Sequence, residues 1–189
     1  MPSMIILIAG LLIFFGVHLV PSFPGLRRQL ATRWSEKIYL IGYAILAAGG
    51  LLLITYGKAN APFTPLYVPP AWGWPVAWVL MWFSLTLLLA AYLPTNLKRW
   101  ARHPFLWGIV LWAVAHLLTN GDLASVLLSG AFAVFALFDM GSANRRGARP
   151  SREQRAFGWD VLLVLAGSAA YAAAVYLHPL LFGVPTGIM

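Results

Sequence analysis

Imidazoles are the side chains of this sequence with the clearest chemical potential. His18 closes the run F-F-G-V-H, His116 sits inside L-W-A-V-A-H-L-L, and His103 follows Arg102 in A-R-H-P. A fourth, His178, ends an apolar stretch near the C-terminus. An imidazole in apolar surroundings still carries a donor and an acceptor, and leaving either unpaired costs on the order of 1–3 kcal/mol. Two arrangements satisfy it. One is a hydrogen bond to a neighbouring helix; the other is a metal. Imidazoles from two different helices are a common way to hold haem b, with iron between the two nitrogens. At helical spacing the neighbours of His116 are Trp112, Ala113 and Asn120, and those of His18 are Leu11, Phe14 and Phe15. Gly16 and Ala115 remove bulk beside the rings. Aromatic and small residues of this kind suit a flat apolar slot. On the residues alone, helix–helix hydrogen bonding and haem ligation both stay open.

Exclusion narrows the chemistry further. The chain has no cysteine, which removes disulfides, thiolate metal sites, covalent haem attachment and a Cys nucleophile. The five acidic residues are Glu36, Asp122, Asp139, Glu153 and Asp160. They lie at the edges of apolar runs, and no two are spaced as an acid–base pair. There is no H-E-x-x-H zinc helix, no G-x-S-x-G elbow and no phosphate loop. Ser84, Ser125, Ser129 and Ser168 have no catalytic setting and read as helix-packing or back-bonding residues.

The elements that must carry the histidines follow from composition. Of the 189 residues, 61% are apolar and 10% charged, against roughly half and a quarter in a soluble domain. That excludes a soluble globule, a disordered chain, a coiled coil and collagen, and points to an all-α polytopic membrane protein. Six apolar runs are long enough to cross a bilayer, at about 4–20, 38–56, 74–93, 104–119, 123–140 and 159–178. The first has no basic leader region or A-x-A site and reads as a retained span. The prolines of 57–73 forbid a regular helix there, with Phe63, Tyr67, Trp72 and Trp74 at the interface. Asn120-Gly121-Asp122 is a tight turn, with Asp122 as the N-cap of the fifth span. No repeat or second domain is visible, so residues 1–189 form a single transmembrane domain.

Charge gives the orientation. Twelve of the thirteen Lys and Arg residues fall between spans one and two, three and four, or five and six; Lys58 alone lies elsewhere. By the positive-inside rule those three loops are cytoplasmic and both termini lie outside. The net charge of +8 therefore reads as loop charge meeting anionic lipid, with no nucleic-acid partner. Depth adds a tension. His116 lies about 18 Å above Pro104 by helical rise, whereas His18 is near the cytoplasmic edge. His103 is closer in depth to His18 and competes with His116 as its partner.

F-F-G-V-H and the longer run R-H-P-x-x-x-G-x-x-x-W-A-x-A-H-L-L-x-N-G-D, Arg102 to Asp122, resemble the NnrU family. The resemblance runs from span one through span five, and the second motif is fairly specific. The same pattern is shared with the plant ζ-carotene isomerases (Z-ISO), whose core looks like an NnrU domain. They use non-covalent haem b in a cis–trans isomerisation. Carried over, the resemblance implies a bis-histidine haem b with His18 and His116 as iron ligands. It keeps His103 as a residue beside the ligands or on the propionate side. Haem carboxylates need a cationic exit, which Arg102 at the mouth of span four would supply, with Arg27 and Arg28 as alternatives. Trp112, one turn from His116, would lie against the cofactor. Those isomerases have a Cys three residues before the second histidine; this chain has Ala113. A further histidine they carry after the second span has no equivalent here.

Three functions follow as expectations. The first is a haem b protein of the NnrU type in the bacterial inner membrane, linked to denitrification or nitric oxide metabolism. The second is a haem-dependent isomerase of a carotenoid-like polyene. The third is a cofactor-free membrane assembly protein. The partners expected are the lipid bilayer and either a small apolar substrate or other membrane proteins.

Overall fold

A computed structural model describes residues 2–187. The helices are α1 (Pro2–Leu19), α2 (Pro24–Trp34), α3 (Glu36–Ala59), α4 (Gly73–Ala90), α5 (Pro104–Thr119), α6 (Leu123–Arg145) and α7 (Gly158–Phe182), with short 3-10 turns at Val20–Ser22 and Asn96–Arg99. Among the described residues there is no sheet, only an isolated bridge between Pro65 and Asp122. The fold is all-α, and α1, α3, α4, α6 and α7 are each long and apolar enough to cross a membrane. The chain is a polytopic membrane protein.

These elements follow the six apolar runs, with three differences. α5 occupies 104–119 as expected, but its 16 residues rise only about 24 Å, less than a bilayer core of about 30 Å. α6 and α7 run past the expected ends to Arg145 and Phe182. α2 is an additional helix in what the sequence presents as a loop. Pro24 supplies its pre-set first turn, and Ser35, at φ 71°, breaks the chain before α3. The Ser35 hydroxyl then accepts the Ile38 amide as the cap of α3.

The chain divides into two compact units. The first comprises Met1–Leu66 and Asp122–Ala131. In it α1 packs along α3 through small residues. A Cβ on Gly10 would stand 2.7 Å from the Ile54 nitrogen, and one on Gly50 would stand 2.9 Å from that of Phe14. Gly57 lies against the backbone of Leu7, which is fully buried. Close backbone approach replaces the hydrophobic drive that lipid denies to two apolar helices.

The second unit comprises Tyr67–Gly121 and Phe132–Met189. Here α4 packs against both α5 and α7. Ser84 donates to the Gly108 carbonyl at 2.8 Å, and the Trp82 indole donates to Ser168 Oγ at 3.0 Å. Both serines are thus helix-packing groups. At the start of α7 the Asp160 carboxylate accepts from Thr95 Oγ1 and from the backbone and side chain of Asn96. That ties the turn after α4 to α7.

Candidate functional site

His18 is near the C-terminal end of α1, in the first unit. Its Nδ1 lies 2.6 Å from the carbonyl oxygen of Phe14, one turn earlier. A carbonyl only accepts, so Nδ1 carries the proton and, in the neutral ring, Nε2 carries the lone pair. The Phe14 ring stacks on the imidazole with centroids 4.1 Å apart and 28° between planes. Tyr43 of α3 approaches the ring at 5.4 Å.

His116 is near the C-terminal end of α5, in the second unit. Its Nδ1 lies 2.8 Å from the Trp112 carbonyl oxygen, again one turn earlier. The same tautomer results, with the lone pair on Nε2. The Trp112 indole lies 4.5 Å from the imidazole, and Phe132 of α6 meets the indole edge-on at 5.5 Å. Ala113 and Ala115 beside it are buried without bulk.

His103 differs. Its Nε2 is 2.9 Å from Asn144 Oδ1, and Arg102 donates to the same oxygen at 2.7 Å. A guanidinium cannot accept, so this atom is the amide oxygen and His103 donates to it from Nε2. Its lone pair is therefore on Nδ1, the opposite arrangement to the other two rings. His178 sits towards the end of α7, with Nδ1 2.7 Å from the Val184 carbonyl.

Of the residues singled out from sequence, the structure brings Trp112 to His116 and Arg102 to His103. From His103 to His116 is nearly the whole of α5, about 20 Å by helical rise. Three neighbours have no sequence signature: Tyr43, Phe132 and Asn144 each lie more than a helix away along the chain from the ring or side chain they meet.

The turn between α5 and α6 is built as expected. Asp122 Oδ1 accepts the Ser125 amide at 3.0 Å, capping α6, and Lys58 Nζ lies 3.4 Å from the same oxygen. Leu123 donates to the Thr64 carbonyl at 2.8 Å. The Tyr67 hydroxyl lies within donating distance of the carbonyls of Leu117 and Asn120, closing the C-terminus of α5. The Tyr67 carbonyl comes so close to Gly121 that no Cβ fits there.

Among the described residues no group of three or more His, Asp and Glu side chains converges to hold a bare metal ion. The donors present are single imidazoles; those of His18 and His116 are each clamped to a carbonyl of their own helix.

The fold and these side chains define a class: a multi-pass α-helical membrane protein carrying histidines within its apolar helices. A family model described as NnrU protein matches residues 6–186, nearly the whole chain. The chain belongs to the NnrU family. No curated protein and no solved structure matches it.

Proposed function

We propose that this NnrU-family protein binds haem b non-covalently, that Nε2 of His18 and Nε2 of His116 would hold its iron, and that it serves nitrogen-oxide metabolism in the bacterial inner membrane. The observation that supports it is the tautomer the two histidines share. Each holds its Nδ1 proton on the carbonyl four residues back, which orients the ring and makes Nε2 the more basic nitrogen, as iron ligation requires. His103, the rival partner, is instead held by Asn144 of α6 through Nε2, about 20 Å along α5 from His116.

The chain's own residues would then act as follows. Phe14 and Trp112 lie against the imidazoles and hold them in plane. Around His116, Trp112 and the buried Ala113 and Ala115 supply apolar surroundings. When bound, haem would supply reversible one-electron transfer. Arg102 and His103, expected beside the propionates, sit at the far end of α5 and face a different, basic cavity. Ala113, where the ζ-carotene isomerases have a cysteine, offers no second ligand for exchange, so no residue favours an isomerase over this reading.

The test is haem titration of the purified apoprotein, followed by absorption. The wild type should saturate at one haem per chain with a low-spin bis-imidazole spectrum. His18→Ala and His116→Ala should each lose that spectrum. Saturation that leaves both variants unchanged would overturn the proposal.

A further inference from the structure

The basic residues around the start of α5 do more than mark a loop. A cavity of about 360 Å³ is lined by Lys98, Arg102, His103 and Arg149, with Ser151 and the first turn of α5, Pro104 to Leu106. No Asp or Glu lines it. The nearby acids are engaged elsewhere: Asp139 with Arg146, Glu153 with Arg155, and Asp160 with Thr95 and Asn96. Among the described residues, no carboxylate lies within ion-pair distance of Lys98, Arg102 or Arg149.

Two of the three cations are held in place. Lys98 Nζ donates to the Ala91 carbonyl at 2.8 Å, the Ser151 amide donates to the Lys98 carbonyl at 3.0 Å, and Arg102 is fixed on Asn144. α5 opens here with no side chain capping its first turn, so its unpaired amides add positive potential on the same side. Orientation in a membrane requires basic residues in a loop; it does not require three of them around one cavity with a hydroxyl and an uncapped helix start.

We infer that this cavity binds a phosphate group, a site separate from His116 at the other end of α5 and independent of whether the protein binds haem. Two guanidinium forks match pairs of phosphate oxygens, and the lysine adds a compact charge. Ser151 and the α5 amides supply neutral donors. The volume is that of about ten waters, so the site accommodates more than bare phosphate. Two sources share this chemistry. One is the headgroup of an anionic phospholipid, reached from the bilayer along α5; the other is a soluble phosphate compound.

The experiment uses the full chain in zwitterionic detergent, with binding followed by native mass spectrometry and by the shift in thermal midpoint. The probes are dioctanoyl phosphatidylglycerol, glycerol 1-phosphate and inorganic phosphate. The comparison is the double variant Arg102→Gln/Arg149→Gln against Arg99→Gln/Arg152→Gln, which removes the same charge from the same loops but not from the cavity. Wild type and the second variant should bind at least one probe equally. The first should bind about tenfold or more weakly, because both guanidinium–phosphate hydrogen-bond pairs are removed. Arg149→Gln alone preserves the Arg102–Asn144 bond and keeps the test open if the double variant does not fold. Glycerol 1-phosphate matching the lipid assigns a soluble ligand; lipid alone assigns a headgroup. Equal loss in both double variants, or no binding by wild type, would overturn the inference.

Discussion

His116 donates its Nδ1 proton to the carbonyl oxygen of Trp112, 2.8 Å away on the preceding turn of α5, and its ring rests 4.5 Å from the Trp112 indole. Backbone and side chain of one residue therefore fix both the tautomer and the plane of one imidazole. Trp112→Ala keeps the carbonyl and removes the ring. Haem affinity should fall by about tenfold, the scale of losing an outer partner of a metal ligand. Trp107→Ala, at an exposed tryptophan of the same helix, should leave it unchanged. Equal affinities for all three proteins in a haem titration would separate Trp112 from the site.

Asp122 joins α6 to the outer loop. Burial works against its charge, but the hydrogen bonds from Ser125 and the ammonium of Lys58 outweigh burial and hold its carboxyl below the usual aspartate range. A depressed folded value contributes stability that is complete above the unfolded value of about 3.9 and is lost as the pH falls through the folded one. Asp122→Ala should cost about 1 kcal/mol or more at neutral pH through the lost cap. The gap to wild type should stay constant down to about pH 5 and close below about pH 4. Thermal midpoints of both proteins across that range check the sign; a gap that widens on acidification contradicts it.

The glycines of α3 divide into two kinds. A Cβ on Gly57 collides with the backbone of Leu7, whereas one on Gly49 meets nothing within 4 Å. Gly57→Ala should destabilise by about 1–3 kcal/mol, the usual scale of overpacking. Gly49→Ala should be neutral or slightly stabilising, because alanine favours a helix. Unfolding in detergent ranks the two, and equal midpoints would mean that α1 and α3 do not depend on this approach.

Sequence carried much of this. Pro104 and Asn120-Gly121-Asp122 punctuate α5 so sharply that both its ends were legible, as was the cap at Asp122. α2 was not: its residues are too polar for a span, and only Pro24 and the left-handed Ser35 bound it. α6 continues beyond Asp139 because a helix leaving a bilayer tolerates charge, here with Arg146 3.8 Å from Asp139. α7 passes Pro179 by less than a turn and stops at Gly183, at φ 72°. For the histidines, position within the helices was legible and proton positions were not. Which nitrogen of His18 or His116 bears hydrogen depends on the rotamer that reaches the carbonyl four residues back, and for His103 on Asn144, 41 residues away along the chain.

Six crossings require that α5 cross despite its 16 residues. With the basic loops inside, a reporter active only in the cytoplasm should be bright when fused after Arg149 and dark when fused at the C-terminus. Fluorescence of the two fusions in intact cells decides it. The reverse pattern would mean that α5 stops within the membrane and only the five longer helices cross.

The most direct measurement is the absorption spectrum of the purified protein, oxidised and then reduced, for wild type, His116→Ala and His103→Ala. Haem b on two clamped imidazoles predicts a Soret band with sharp low-spin bands on reduction in wild type and in His103→Ala, and their loss in His116→Ala. A wild-type protein that takes up no haem, or a spectrum that survives His116→Ala and vanishes in His103→Ala, would contradict the account.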